Sequence, residues 1–78
     1  MILSILTPEG ELLQKETERV TLPGSVGSFT VLKNHAPLIA ALNAGDIVYV
    51  EDGEEKSQRI EGGFVRVLNN KVEVCSPK

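Results

Sequence analysis

Few side chains in this sequence have the type or spacing for bond-making chemistry. His35 is its single histidine and Cys75 its single cysteine. A histidine base needs a nucleophile to deprotonate or a carboxylate to orient it. Within the turn Asn34-His35-Ala36-Pro37, His35 reads instead as a structural histidine or an interface contact, with either ring nitrogen free to bond a loop backbone group. One cysteine cannot form an internal disulfide, and no Cys/His cluster has metal-ligand spacing, which fits a reducing compartment. Neither a metal nor any other cofactor is expected. The acidic run Glu51, Asp52, Glu54 and Glu55 falls at the tip of an expected hairpin, where water denies carboxylates the burial that makes useful acids and bases.

One glycine-containing segment calls for comparison with a phosphate cradle. Pro23-Gly24-Ser25-Val26-Gly27-Ser28 lacks the Gly-Lys-Ser/Thr ending and the following helix of a P-loop, so Gly24 and Gly27 read as turn residues that permit positive φ. The same reading suits Gly62-Gly63. Aromatic platforms for sugars or single-stranded nucleic acid are poorly represented, because Phe29, Tyr49 and Phe64 are the only aromatics and two of them are expected in the core. Lys71 lies near a turn, as the modified lysine of a biotin or lipoate carrier domain does, but its flanking residues do not resemble the carrier motifs. Catalysis is not expected of this set of residues.

The elements that must position these residues read as strands. Apolar residues recur mostly with period two, and Gly, Pro, Asn and Asp interrupt them every eight to twelve residues or so, the pattern of a small sandwich or barrel. Ile2 to Leu6 forms a strand closed by Thr7-Pro8-Glu9-Gly10, and Glu18 to Leu22 forms a second, ended by Pro23-Gly24. Phe29 to Leu32 is a short strand. Leu38 to Leu42 is ambiguous by periodicity and, by length, a buried strand or crossover. Asp52-Gly53 joins strands Ile47–Glu51 and Lys56–Ile60 as a hairpin, and Asn69-Asn70-Lys71 joins Phe64–Leu68 to Val72–Cys75. No repeat, low-complexity tract or linker divides residues 1–78.

Composition agrees: 41% hydrophobic and 24% charged residues in 78 positions leave room for one small core. Such a chain buries only about 60% of its unfolded surface, so a partner is expected to add stability. A net charge of −3, with eight scattered Lys and Arg, argues against nucleic acid. No apolar run reaches the roughly 18 residues of a membrane span, and no basic secretory start is present, so a soluble cytosolic chain without direct membrane insertion is expected.

Four stretches and Gly45 carry a family resemblance. Val20-Thr21-Leu22-Pro23-Gly24-Ser25-Val26-Gly27-Ser28-Phe29-Thr30-Val31-Leu32, then Asn34-His35-Ala36-Pro37-Leu38-Ile39-Ala40-Ala41-Leu42 and Gly45, resemble the amino-terminal domain of bacterial ATP synthase epsilon subunits. Ile60-Glu61-Gly62-Gly63-Phe64-Val65-Arg66-Val67, followed by Asn70-Lys71-Val72-Glu73-Val74, resembles the Gly-Gly strand and final hairpin of that domain. The match spans essentially the whole chain, in order.

The resemblance implies an all-β, flattened two-sheet sandwich of about ten short strands. It also implies a non-catalytic rotor part in the central stalk, touching the gamma subunit and the membrane ring within a complex that contains alpha and beta. Its task there would be to couple proton-driven rotation of the ring to ATP synthesis. The family's ring-facing loops correspond to Gly24 through Ser28 and Asn34 through Leu42, which places ring contacts on Ser25, Val26, Ser28 and His35, and a gamma-facing surface corresponds to Thr7, Ala40 and Leu42, each of which also suits the core. Many relatives carry acids where this chain has Val26 and Ser28, so charge pairing through those positions does not carry over. Fuller epsilon subunits continue into an inhibitory helical hairpin, whereas this sequence stops at Lys78, and that regulation is expected to be absent. A bacterial origin is expected because no transit peptide precedes the domain, with peripheral placement at the cytoplasmic face of the inner membrane. A carrier domain and an unassigned protein-binding sandwich are the alternatives.

Overall fold

The computed structural model describes residues 1–77. Its strands are β1 (Ile2–Thr7), β2 (Gly10–Glu16), β3 (Arg19–Leu22), β4 (Phe29–Leu32), β5 (Leu38–Glu51), β6 (Glu54–Leu68) and β7 (Lys71–Cys75). They form one hydrogen-bonded sheet in the order β2-β1-β7-β6-β5-β3-β4. Neighbours are antiparallel except β1 and β7, which run parallel.

A single sheet becomes a sandwich because β5 and β6 bend together and serve in both layers. Their pairing keeps one register from Leu38↔Val67 to Glu51↔Glu54. The inward face nevertheless changes phase along both: Leu38, Ala40 and Leu42 give way to Ile47 and Tyr49, while Ile60 gives way to Val65 and Val67. Gly62 and Gly63, at φ of 114° and 110°, sit where β6 changes phase, in a backbone region that favours glycine. One layer then holds β2, β1, β7 and the ends of β6 and β5 around Val67 and Leu38. The other holds their remaining halves with β3 and β4. Leu3, Ile5, Val65, Val72 and Val74 from the first layer meet Val20, Leu22, Val31, Ile47 and Ile60 from the second in one core of fully buried side chains.

The expected segmentation is corrected accordingly. Leu38–Leu42 and Ile47–Glu51 are one strand, as are Lys56–Ile60 and Phe64–Leu68. Seven strands among the described residues, with β5 and β6 counted in both layers, make nine segments, close to the expected ten. Residues 11–16, for which no element is expected, form with the turn residue Gly10 the edge strand β2. A register shift between Ile5 and Leu6 interrupts its pairing, and much of it is exposed, so it lacks a clean period-two apolar pattern.

Both expected hairpins form. Asp52 and Gly53, at φ of 53° and 77°, make a two-residue turn between Glu51 and Glu54, as a pair of left-handed residues should. The second turn consists of Asn69 and Asn70 alone, at φ of 51° and 61°, and Lys71 already pairs with Leu68 and Ile2 in β7.

Candidate functional site

The loop between β3 and β4 is built by its own backbone. The Gly24 N–H donates to Leu22 O and the Gly27 N–H to Gly24 O, each at 3.0 Å. The loop is also tied to β5, where the Ser25 N–H donates to Ala41 O at 3.0 Å and the Asn43 N–H to Pro23 O at 2.8 Å. These amides are spent on carbonyls, so the loop cannot cradle a phosphate with them. Gly24 is required for packing, since a Cβ there would lie 2.9 Å from the Phe29 ring and 2.5 Å from Gly27 O.

This frame holds Val26 outward with its side chain fully in solvent, at 102% relative exposure, beside exposed Ser25 and Ser28. Ser25, Val26, Phe29, Leu38, Ala40 and Ala41 surround an open apolar recess of about 320 Å³. A recess without an ionisable side chain offers no acid, base or metal ligand. Among the described residues no group of three or more His, Cys, Asp and Glu side chains could hold a metal ion.

His35 lies beyond the other end of β4. At about 3.3 Å per residue, that strand separates the His35 loop from Ser28 by roughly 13 Å. The two expected ring-contact loops are therefore distinct surfaces. His35 is exposed, and its Nδ1–H donates to Ala36 O at 2.6 Å, a contact with a neighbouring carbonyl and not with a nucleophile or carboxylate.

Of the three residues expected at a gamma-facing surface, Ala40 and Leu42 lie on the inward face of β5 and Thr7 at the end of β1. Leu42 is 6% exposed and belongs to the core, the second of its two readings. Ala40 is half-buried, packs against the core and lines the recess. The half-buried Thr7 donates its hydroxyl to Gly10 O at 3.0 Å, holding the β1–β2 turn. Alternation instead exposes their β5 neighbours Ile39, at 73%, and Ala41. Opposite Ala41 stands Phe64, 50% exposed, so an apolar patch lies across β5 and β6. Sequence reasoning missed Ile39 and Phe64 as surface residues. Counting by twos from Leu42 would have found Ile39, but the phase of Phe64 depends on Gly62-Gly63.

Two further expectations are refined. Lys71, 51% exposed, is a strand residue with its Nζ 3.8 Å from Glu73, not the tip of a turn as a carrier lysine would be. Glu51 is not merely solvated: its Oε2 lies 2.8 Å from Lys15 Nζ. The hydrogen bond and then the charge of Lys15 hold its carboxyl below the ordinary value, against the opposing effect of burial.

Residues 1–77 match the model of the family described as ATP synthase, Delta/Epsilon chain, beta-sandwich domain. The chain is 43% identical over 74 residues to the ATP synthase epsilon chain of Desulfitobacterium hafniense, covering 95% of this chain and 56% of that one. It thus spans little more than half of that relative's length. Among solved structures it is similar to a chain of the Euglena gracilis mitochondrial ATP synthase in an OSCP/F1/c-ring assembly. That likeness has a TM-score of 0.90 at 22% identity and covers 100% of this chain and 51% of that one. It is similar also to a chain of the Tetrahymena thermophila mitochondrial ATP synthase central stalk and c-ring, with a TM-score of 0.81 at 19% identity, covering 100% and 63%.

Proposed function

This chain belongs to the family of ATP synthase delta/epsilon chain β-sandwich domains, and on that footing we propose that it works as a non-catalytic rotor part of a rotary ATP synthase. In this role it joins the gamma subunit to the membrane ring, within the complex of alpha and beta, and passes proton-driven rotation toward ATP synthesis. It acts peripherally at the cytoplasmic face of a bacterial inner membrane.

The observation that carries the reading is one stiff body exposing apolar side chains on a sheet face, through Ile39 and Phe64, and on a backbone-tied loop tip, through Val26. Transmitting torque requires a part that does not absorb twist, and close-packed layers resist shear as loops do not. Holding two partners requires buried contact of at least roughly 1,000 Å² with apolar anchors near its centre. We assign the Ile39, Ala41 and Phe64 face to gamma, with Thr7 and Ala40 at its margin, and leave Leu42 to the core. The loops of Ser25, Val26 and Ser28 and of His35 face the ring. Val26 makes the first of these an apolar contact.

Affinity capture of the tagged chain from detergent-solubilised membranes of its source tests this, with partners quantified by mass spectrometry. Gamma, alpha, beta and ring subunits should be recovered in near-fixed proportion. The pair Ile39→Ser and Phe64→Ser should lose gamma and everything that arrives with it. Val26→Asp should lower the ring share while gamma remains. A different reproducible partner, with no synthase subunits, would overturn the proposal.

A further inference from the structure

The His35 loop is tied to the opposite layer by a pair of asparagines. The Asn34 N–H donates to Asn70 Oδ1 at 2.7 Å, and Asn70 Nδ2 donates to Asn34 Oδ1 at 3.0 Å. Asn34 lies between β4 and β5, whereas Asn70 ends the β6–β7 turn, 36 positions along the chain. Asn70 is anchored in turn, because its carbonyl accepts the Ile2 N–H at 3.0 Å from the start of β1. Next to Asn34, the His35 N–H closes back onto Leu32 O at 3.2 Å. His35 and Ala36 therefore follow a turn held twice, one tie leading to β4 through Leu32 and the other through Asn70 to β1 and β7.

Both asparagines have φ of 61°, a left-handed conformation that Gly and Asn adopt most easily. Turn geometry alone accounts for an Asn or a Gly at each position, but not for the reciprocal side-chain bonds. A glycine at position 70 removes both bonds while keeping the turn, which separates the two roles.

We infer that Asn70 is a positioning residue: through Asn34 it orients the His35-Ala36 loop for contact with the membrane ring. The inference rests on the ring-facing role proposed above for that loop. Asn70 itself touches no partner in this scheme. Its side chain selects one arrangement of a loop that would otherwise sample several, and a contact surface held in its bound arrangement loses less entropy on binding.

The test uses the full chain assembled in its membrane complex, with a benzophenone amino acid replacing Ala36 and His35 left intact. Ultraviolet cross-linking to ring subunits is measured for the parent and for Asn70→Gly. Amide hydrogen exchange of Asn34 is followed in the same two chains. Asn70→Gly should lower the cross-link yield and speed Asn34 exchange by about five-fold each, the population ratio that one net hydrogen bond sustains, with gamma recovery unchanged. Equal cross-link yields in parent and variant would overturn the inference while leaving the loop's ring-facing role intact. Absence of ring cross-links in the parent itself would overturn that role, and the inference with it. If Asn70→Gly fails to assemble, Asn34→Gly removes the Asn70 Nδ2–Asn34 Oδ1 bond but keeps the backbone donation to Asn70 Oδ1, and it is read by cross-link yield alone: a lowered yield supports the inference and a yield equal to the parent's overturns it.

Discussion

Gly63 turns the position of its missing Cβ onto the carbonyl oxygen of Cys75, close enough that no side-chain carbon fits between β6 and β7. Its φ of 110° excludes ordinary L-residues independently. Gly63→Ala should therefore cost about 3 kcal/mol or more, combining backbone strain with a backbone clash that no rotamer relieves. Gly27→Ala is the control, since its φ of 138° is also unfavourable but the space around it is open. Its cost should stay near about 1 kcal/mol. Chemical denaturation of the three chains checks both, and similar losses for the two variants would refute the role of the Cys75 contact.

Val20 and Val31 pair directly across β3 and β4, and both are fully buried. Val31→Ala or Val20→Ala should each lower stability by about 1 to 3 kcal/mol, through lost transfer energy and the cavity left behind. An unchanged melting temperature in either would remove that residue from the core.

His35 differs from them in every respect that matters for stability. It is exposed, and the recorded bond of its ring is to the adjacent residue. His35→Ala should shift stability by no more than about 0.5 kcal/mol, as surface substitutions usually do, while weakening assembly or coupling. Parallel measurement of melting temperature and of proton pumping by the assembled complex separates the two effects. Equal losses in both would make it a structural histidine.

Lys15 and Glu51 join β2 to β5 at 2.8 Å, and each perturbs the other. Glu51 is lowered from 4.5, first by the hydrogen bond to Lys15, and Lys15 is raised from 10.5 by the same bond and then by the Glu51 charge. A depressed carboxyl contributes stability above its unfolded value that disappears as pH falls through the folded one. A raised ammonium contributes below 10.5 and loses that contribution as pH climbs past its folded value. The pair should thus support the fold across the neutral range and weaken at both extremes. Both groups are open to solvent, so added salt should reduce the effect. Melting profiles of the parent and of Glu51→Gln, taken against pH at low and high salt, should converge below pH 4.5. Parallel profiles throughout would show that the pair contributes nothing.

The alternation in β1, β3 and β4, and the turn residues Asp52-Gly53 and Asn69-Asn70, determined the all-β class and both hairpins from sequence alone. Those features act locally, through side-chain alternation and left-handed backbone preference. The stretches from Val20 to Gly45 and from Ile60 to Val74 carried the family resemblance. Only tertiary structure decided that Leu38–Glu51 and Glu54–Leu68 are continuous. Their inward face changes phase at the bend, so the period breaks while the hydrogen-bonded register does not. Nor could β2 be read, because an edge strand with a register shift needs no apolar face of its own. The division of β5 into buried Leu42 and exposed Ile39 and Ala41, and the pairing of Asn34 with Asn70, were set by which residues the folded sheet brings together. Sequence order does not encode such long-range neighbours locally. Folding decides them by burying one set of alternate positions and leaving the other to water and to partners.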